Sequence, residues 1–153
     1  MEPARSIRRI LVATDFSPCA DAAAAVAAQL ARQLDAGVEV VTFVDTSWVT
    51  DASGEPAWHR QRVDEIHQQA RKRLQEFADR QFTGVEDLRV HVFDGGLDPP
   101  NPSVGVISVA ETLKCDLIVL GTHGKTGLEH LLIGSVAEKV VRASGIPVLT
   151  VRA

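Results

Sequence analysis

Residues 116–152 read DLIVLGTHGKTGLEHLLIGSVAEKVVRASGIPVLTVR. The run DLIVLG, 116–121, is short, apolar and rich in β-branched residues, as expected of a strand buried on both faces. Glycine-rich sequence follows. From Gly134 the sequence SVAEKVVRAS predicts a helix, with Gly145 as its left-handed cap. PVLTVR, 147–152, returns to the strand pattern. One strand, one helix and a second strand in 37 residues describe a parallel crossover unit.

The rest of the chain repeats this alternation. ILVA, 10–13, is a buried strand. Ser17 and Pro18 supply an N-cap and a first helical residue, and an alanine-rich helix continues to Ala36, with Gly37 as its left-handed cap. VEVVTFVD, 38–45, is the second strand, and 46–56 is a loop of Ser, Thr, Asp, Gly and Pro. A long helix spans 57–82, with Val63, Ile66, Ala70, Leu74 and Phe77 on one stripe and Gly84 ending it. LRVHVFD, 88–94, is the third strand. The prolines and glycines of GGLDPPNPS forbid regular structure, and a short helix covers 103–113. The sum is βαβαβαβαβ: an α/β, Rossmann-like three-layer sandwich with a five-stranded parallel sheet, in one domain over 1–153. Ligands of such sheets bind beyond the carboxyl ends of the strands, which puts Asp15, Val44 and Gly121–Gly124 on one edge.

Composition narrows the function. The 153 residues carry a net charge of −4, so a nucleic-acid partner, which is met by a basic face, is not expected. Arg71-Lys72-Arg73 sits among acidic and amide residues and reads as a solvated helix face. No segment approaches the ~18 apolar residues of a membrane span. Two distant cysteines, Cys19 and Cys115, read as reduced thiols in a cytoplasmic protein.

Gly124-Lys125-Thr126 suggests a phosphate-binding P-loop, but the Walker A pattern needs a glycine where Val119 stands. The dinucleotide fingerprint fails as well, since Ala13-Thr14-Asp15-Phe16-Ser17 holds no glycine. A different geometry fits phosphates. Gly121 and Gly124 allow close backbone approach, and Gly134-Ser135 opens a helix whose free N–H groups attract anions. Turn formation alone accounts for any single one of these glycines. Asp15 has two readings of equal weight: a carboxylate that accepts both hydroxyls of a ribose, and a neighbour of the helix N-cap.

The spacing Gly121, two residues, Gly124, nine residues, Gly134-Ser135 resembles that of the universal stress protein family, in its ATP-binding branch. ILVATDFS, FVD and the whole of 116–152 carry the likeness, which covers nearly the full chain. The resemblance implies strand order 3-2-1-4-5 and an adenine-nucleotide site. Asp15 would take the ribose, with Ala13 and Thr14 lining the pocket and Val44 meeting adenine through its backbone. Gly121, His123 and Gly124 would contact ribose and phosphates. Gly134, Ser135 and Val136 would supply phosphate donors. It further implies a homodimer through strand 147–152 and a regulatory role in stress physiology. One departure stands out: GGLDPPNPSVG, over 95–105, is several residues longer than the usual family connection.

No residue is expected to be catalytic. His123 reads as a ligand contact and Lys125 as a loop charge. His59 and His67 lack partners at metal-ligand spacing, so no dedicated metal site is expected, although Mg²⁺ could accompany ATP through its phosphates. The alternatives are a slow ATPase and a nucleotide-free dimer that acts through protein contacts. An ATP pyrophosphatase is disfavoured, because TDFSPCAD replaces the glycine-rich loop that such enzymes carry after the first strand.

Overall fold

The computed structural model describes residues 6–47, 56–95, 101–123 and 133–153. The elements run β1 (Arg9–Ala13), α1 (Pro18–Leu34), β2 (Gly37–Val44), α2 (Pro56–Gln81), β3 (Leu88–Asp94), α3 (Pro102–Thr112), β4 (Leu117–Gly121), α4 (Ser135–Ala143) and β5 (Val148–Val151). The five strands form one sheet in the order β3-β2-β1-β4-β5, with every pairing parallel. Fold class and strand order both agree with the sequence reading.

The period-two alternation of each strand divides the core. Ile10, Val12, Val38, Val40 and Val119 point to one face, where they pack with α1 and with Leu74, Phe77 and Ala78 of α2. Leu11, Val41, Ile118 and Leu120 point to the other, under Val106, Val109 and Ala110 of α3 and Ala137 and Val140 of α4. The buried stripe of α1 is all alanine: Ala20, Ala23, Ala24, Ala27, Ala28 and Ala31. Such small side chains let the helix axis lie close to the sheet.

Two caps and one helix start differ from the sequence reading. The left-handed residue closing α1 is Asp35 (φ 52°), not Gly37; aspartate tolerates this conformation through local hydrogen bonding. Gly37 instead begins β2 and donates its amide to the Arg8 carbonyl. Its missing side chain leaves room for the Asp87 carboxylate, 2.9 Å from where a Cβ would stand. Helix α4 ends on Ser144 in extended conformation, with Ser144 Oγ donating to the Ile146 carbonyl and accepting its amide. Gly145 therefore has no left-handed role. Helix α3 is capped by Asn101, whose side chain accepts from the Ser103 amide, and starts one residue before the expected Ser103. Gly84, at φ +82°, does follow α2 as expected.

One strand residue escaped the sequence reading. Glu39 of β2 is 1% exposed. Burying a carboxylate requires charged or hydrogen-bonding partners. Arg9 Nη1 donates to its Oε1, and His91 Nε2 lies 2.6 Å from its Oε2. The same contact raises the Arg9 guanidinium pKa above its ordinary value.

Candidate functional site

The connections leaving β1 and β4 run in opposite directions along the sheet, so a crevice opens between the carboxyl ends of these strands. A cleft of about 660 Å³ lies at that edge. It is lined by Ala13, Thr14 and Asp15 from the end of β1, Val44 from the end of β2, Gly121 and His123 from the exit of β4, and Gly134, Ser135 and Val136 from the start of α4. Nine of the ten residues singled out from sequence thus meet in one cavity. Gly124 and Lys125 lie outside the described residues.

The β1–α1 turn is tightly bonded. Thr14 donates its amide to the Val41 carbonyl at 2.9 Å, and Thr42 Oγ1 donates to the Thr14 carbonyl at 2.8 Å. Thr14 Oγ1 accepts the Phe16 amide, and Asp15 Oδ1 accepts the Ser17 amide, both at 3.0 Å. Ser17 Oγ in turn accepts the Ala20 amide at the head of α1. The two readings of Asp15 are therefore compatible: one oxygen braces the turn before the N-cap, while the residue faces the cleft. Between Asp15 and Ser17, Phe16 adopts φ 62°, a left-handed conformation that costs a side-chain-bearing residue about 1–2 kcal/mol.

Two glycines have a packing reason. A Cβ on Gly121 would stand 2.8 Å from the backbone carbon of Cys19, so this glycine lets the first turn of α1 lie against β4. A Cβ on Gly134 would stand 2.8 Å from the Thr122 carbonyl oxygen, which accepts the Gly134 amide. The exit of β4 and the entrance of α4 are thereby tied together. His123 Nδ1 lies 2.9 Å from Thr122 Oγ1. At the start of α4, the N-cap Gly134 offers no side-chain hydrogen bond to the helix amides. First-turn N–H groups and the positive end of the helix dipole thus border the cleft.

Sequence reasoning missed the opposite wall. Ile66, Gln69, Ala70 and Arg73 of α2 line the cleft, as do Phe16, Phe43 and, from α3, Pro102 and Val106. Ile66 and Ala70 read as core, and Arg73 as solvated surface. The usable signal was periodicity, since Arg73 follows Ala70 by three and Ile66 by seven and so shares their helix face.

Among the described residues no group of three or more His, Cys, Asp and Glu side chains could hold a metal ion, and no helix is long and apolar enough to cross a membrane. His67 Nε2 lies 3.7 Å from Asp94 Oδ2, and Thr46 Oγ1 donates to the same oxygen. Both cysteines are free thiols, and burial, helped by the nearby Glu39 charge, pushes the Cys115 thiol up to about 12.

Comparison with known proteins places this architecture. The chain is 35% identical over 147 residues to the universal stress protein MJ0531 of Methanocaldococcus jannaschii, covering 95% of this chain and 82% of that one. Among solved structures, MJ0577 of the same organism superposes with a TM-score of 0.80 at 23% identity, covering 97% of this chain and 98% of that one. A universal stress protein in complex with cAMP superposes with a TM-score of 0.62 at 23% identity, covering 97% and 98%. The family model described as "Universal stress protein family" matches residues 6–152, and the chain belongs to the universal stress protein family.

Proposed function

We propose that the protein is an adenine-nucleotide-binding domain, spanning 1–153, that takes ATP in the cleft between β1 and β4. The observation carrying this reading is convergence: separate chain segments bring a carboxylate, two glycines and an uncapped helix start to one cavity. Asp15 would accept the ribose hydroxyls, with Ala13 and Thr14 beneath the sugar and Val44 at the base. Gly121 and His123, followed by Gly124, would run beside the ribose and phosphates. The amides of Ser135 and Val136, with the Ser135 hydroxyl, would receive the phosphate oxygens. Binding of cAMP by a family member of the same fold supports an adenine ligand.

Mg²⁺ fits this donor set through the nucleotide rather than through a protein cage. Asp15 is the one carboxylate among the described lining residues, and Mg²⁺ binds readily through phosphates with one carboxylate and water. When bound, the ion would neutralise phosphate charge. The protein's own groups orient the nucleotide, and its role is regulatory, in a cytoplasmic stress response.

The proposed assembly is a homodimer through strand 147–152. Strand β5 closes one edge of the sheet, its apolar residues are half-buried, and pairing two such edges about a two-fold axis would cover them.

Chromatography of small molecules released on denaturation, followed by calorimetric titration with ATP, tests the ligand. The expected result is saturable binding at one site per chain. A protein purified without nucleotide and silent to ATP, ADP and AMP would sink the reading. Sedimentation at micromolar concentration tests the dimer, and a monomer would remove that part.

A further inference from the structure

The strained backbone beside Asp15 is held by the opposite wall of the cleft. A left-handed conformation at a bulky residue persists where its surroundings over-determine it. At Phe16 they do so through the ring. Phe77 of α2, 2% exposed, meets it edge to face, with centroids 5.7 Å apart and planes at 86°. One helical turn earlier on α2, the Arg73 guanidinium carbon lies 4.1 Å from the centroid of the same ring. Residues four apart on a helix share a face, so α2 grips Phe16 with two adjacent side chains. Among the described residues Arg73 has no ion-pair partner, and its cation is committed to the aromatic face.

The gripped ring belongs to the turn that carries Thr14 and Asp15 into the lining of the cleft. The Phe16 amide is bonded to Thr14 Oγ1, and the next amide, of Ser17, is bonded to Asp15 Oδ1. Rotation of the Phe16 backbone out of the left-handed region would break both bonds and turn the Asp15 carboxylate away. We propose that Arg73 is a positioning residue of this site: stacked on Phe16, it locks the Thr14–Ser17 turn and so aims Asp15 at its ligand. The ligand half of this inference rests on the nucleotide reading above; the mechanical half does not. It couples α2 to the site through Asp15 as well as through the side chains that line the cleft, so that a displacement of α2 is felt at Asp15.

The test uses Arg73→Ala, Arg73→Met and Arg73→Lys in the full chain. In ligand-free protein, amide hydrogen exchange of Phe16 and Ser17 should quicken on the order of fivefold in Arg73→Ala, the weight of one partly exposed cation–ring contact. Exchange at Val40 and Ile118, in the sheet, should not change. Arg73→Met, which keeps an apolar stem without charge, should resemble Arg73→Ala, whereas Arg73→Lys should recover most of the protection. ATP affinity should fall by a similar factor in Arg73→Ala, and this loss should disappear in an Asp15→Ala background, because a positioning residue acts through the residue that it positions. Unchanged exchange at Phe16 and Ser17 overturns the proposal. So does an ATP loss that persists at full size without the Asp15 carboxylate, which would make Arg73 a direct ligand contact. Should the wild type bind no nucleotide, the functional reading fails while the exchange rates alone decide whether Arg73 holds the turn.

Discussion

Replacing Gly121 by alanine separates packing from ligand approach. The added Cβ would lie 2.8 Å from both the backbone carbon and the Cβ of Cys19, and 2.9 Å from its carbonyl oxygen. Two of these atoms are backbone, so no rotamer change relieves the clash. Ordinary contact requires a retreat of about half an ångström by the first turn of α1 or the end of β4. Neither end moves alone: α1 is sealed to the sheet by its buried alanines, and the Thr122 amide is bonded to the Val151 carbonyl. Overpacking of this kind costs about 1–3 kcal/mol. For a chain of this size, 2 kcal/mol corresponds to roughly 4–8 °C in the unfolding midpoint. Thermal and urea unfolding of nucleotide-free protein measure it, with an unchanged m-value showing that the denatured state is unaffected. Gly145→Ala is the control, since a Cβ there meets nothing within 4 Å; it should lie within about 0.5 kcal/mol of wild type. If Gly121→Ala were as stable as Gly145→Ala, the packing role assigned to Gly121 would be wrong.

Three further outcomes are expected. Asp15→Ala should weaken ATP binding about 10- to 100-fold in calorimetry, the range for hydrogen bonds to a charged acceptor; unchanged affinity would remove Asp15 from the site. Glu39→Gln should destabilise by about 2 kcal/mol in urea unfolding, less than for a wholly buried pair because the Arg9 and His91 side chains are about a quarter exposed; a loss below 0.5 kcal/mol would contradict that. For Cys115, the unfolded thiol ionises near 9 and the folded one near 12. The unfolded chain therefore sheds this proton first, and stability should decline as pH rises through that window. Cys115→Ala should flatten the decline, and at pH 8 a thiol reagent should modify Cys115 in urea but not in native protein; equal labelling in both would refute its protection.

The sheet was legible because buried parallel strands are written as local apolar runs: 10–13 and 117–121 need no partner to be recognised. The glycine-lined side of the cleft was legible for a similar reason, Gly121, Gly134 and the start of α4 standing close in sequence. What escaped reading depends on distant residues. Glu39 looks like a flaw in a strand until Arg9 and His91, 30 and 52 positions away, are brought to it. Gly37 looks like a helix cap because nothing local reveals Asp87 occupying its side-chain space. Asp35 could replace glycine as a cap because its side chain tolerates a left-handed backbone. Arg73 looks like solvated charge until the tertiary fold sets the Phe16 ring beneath it.

The bond between the Gly134 amide and the Thr122 carbonyl makes the connection from β4 to α4 a purse drawn shut at its neck. Whatever lies along 124–132, both ends are anchored to the same atoms, so insertions or exchanges there need not shift the register of β5 or the aim of α4. Length changes between two points already tied together carry a small, slowly growing entropic cost. Gly134 is accordingly the residue to keep in any variant of this connection, so that the neck still closes.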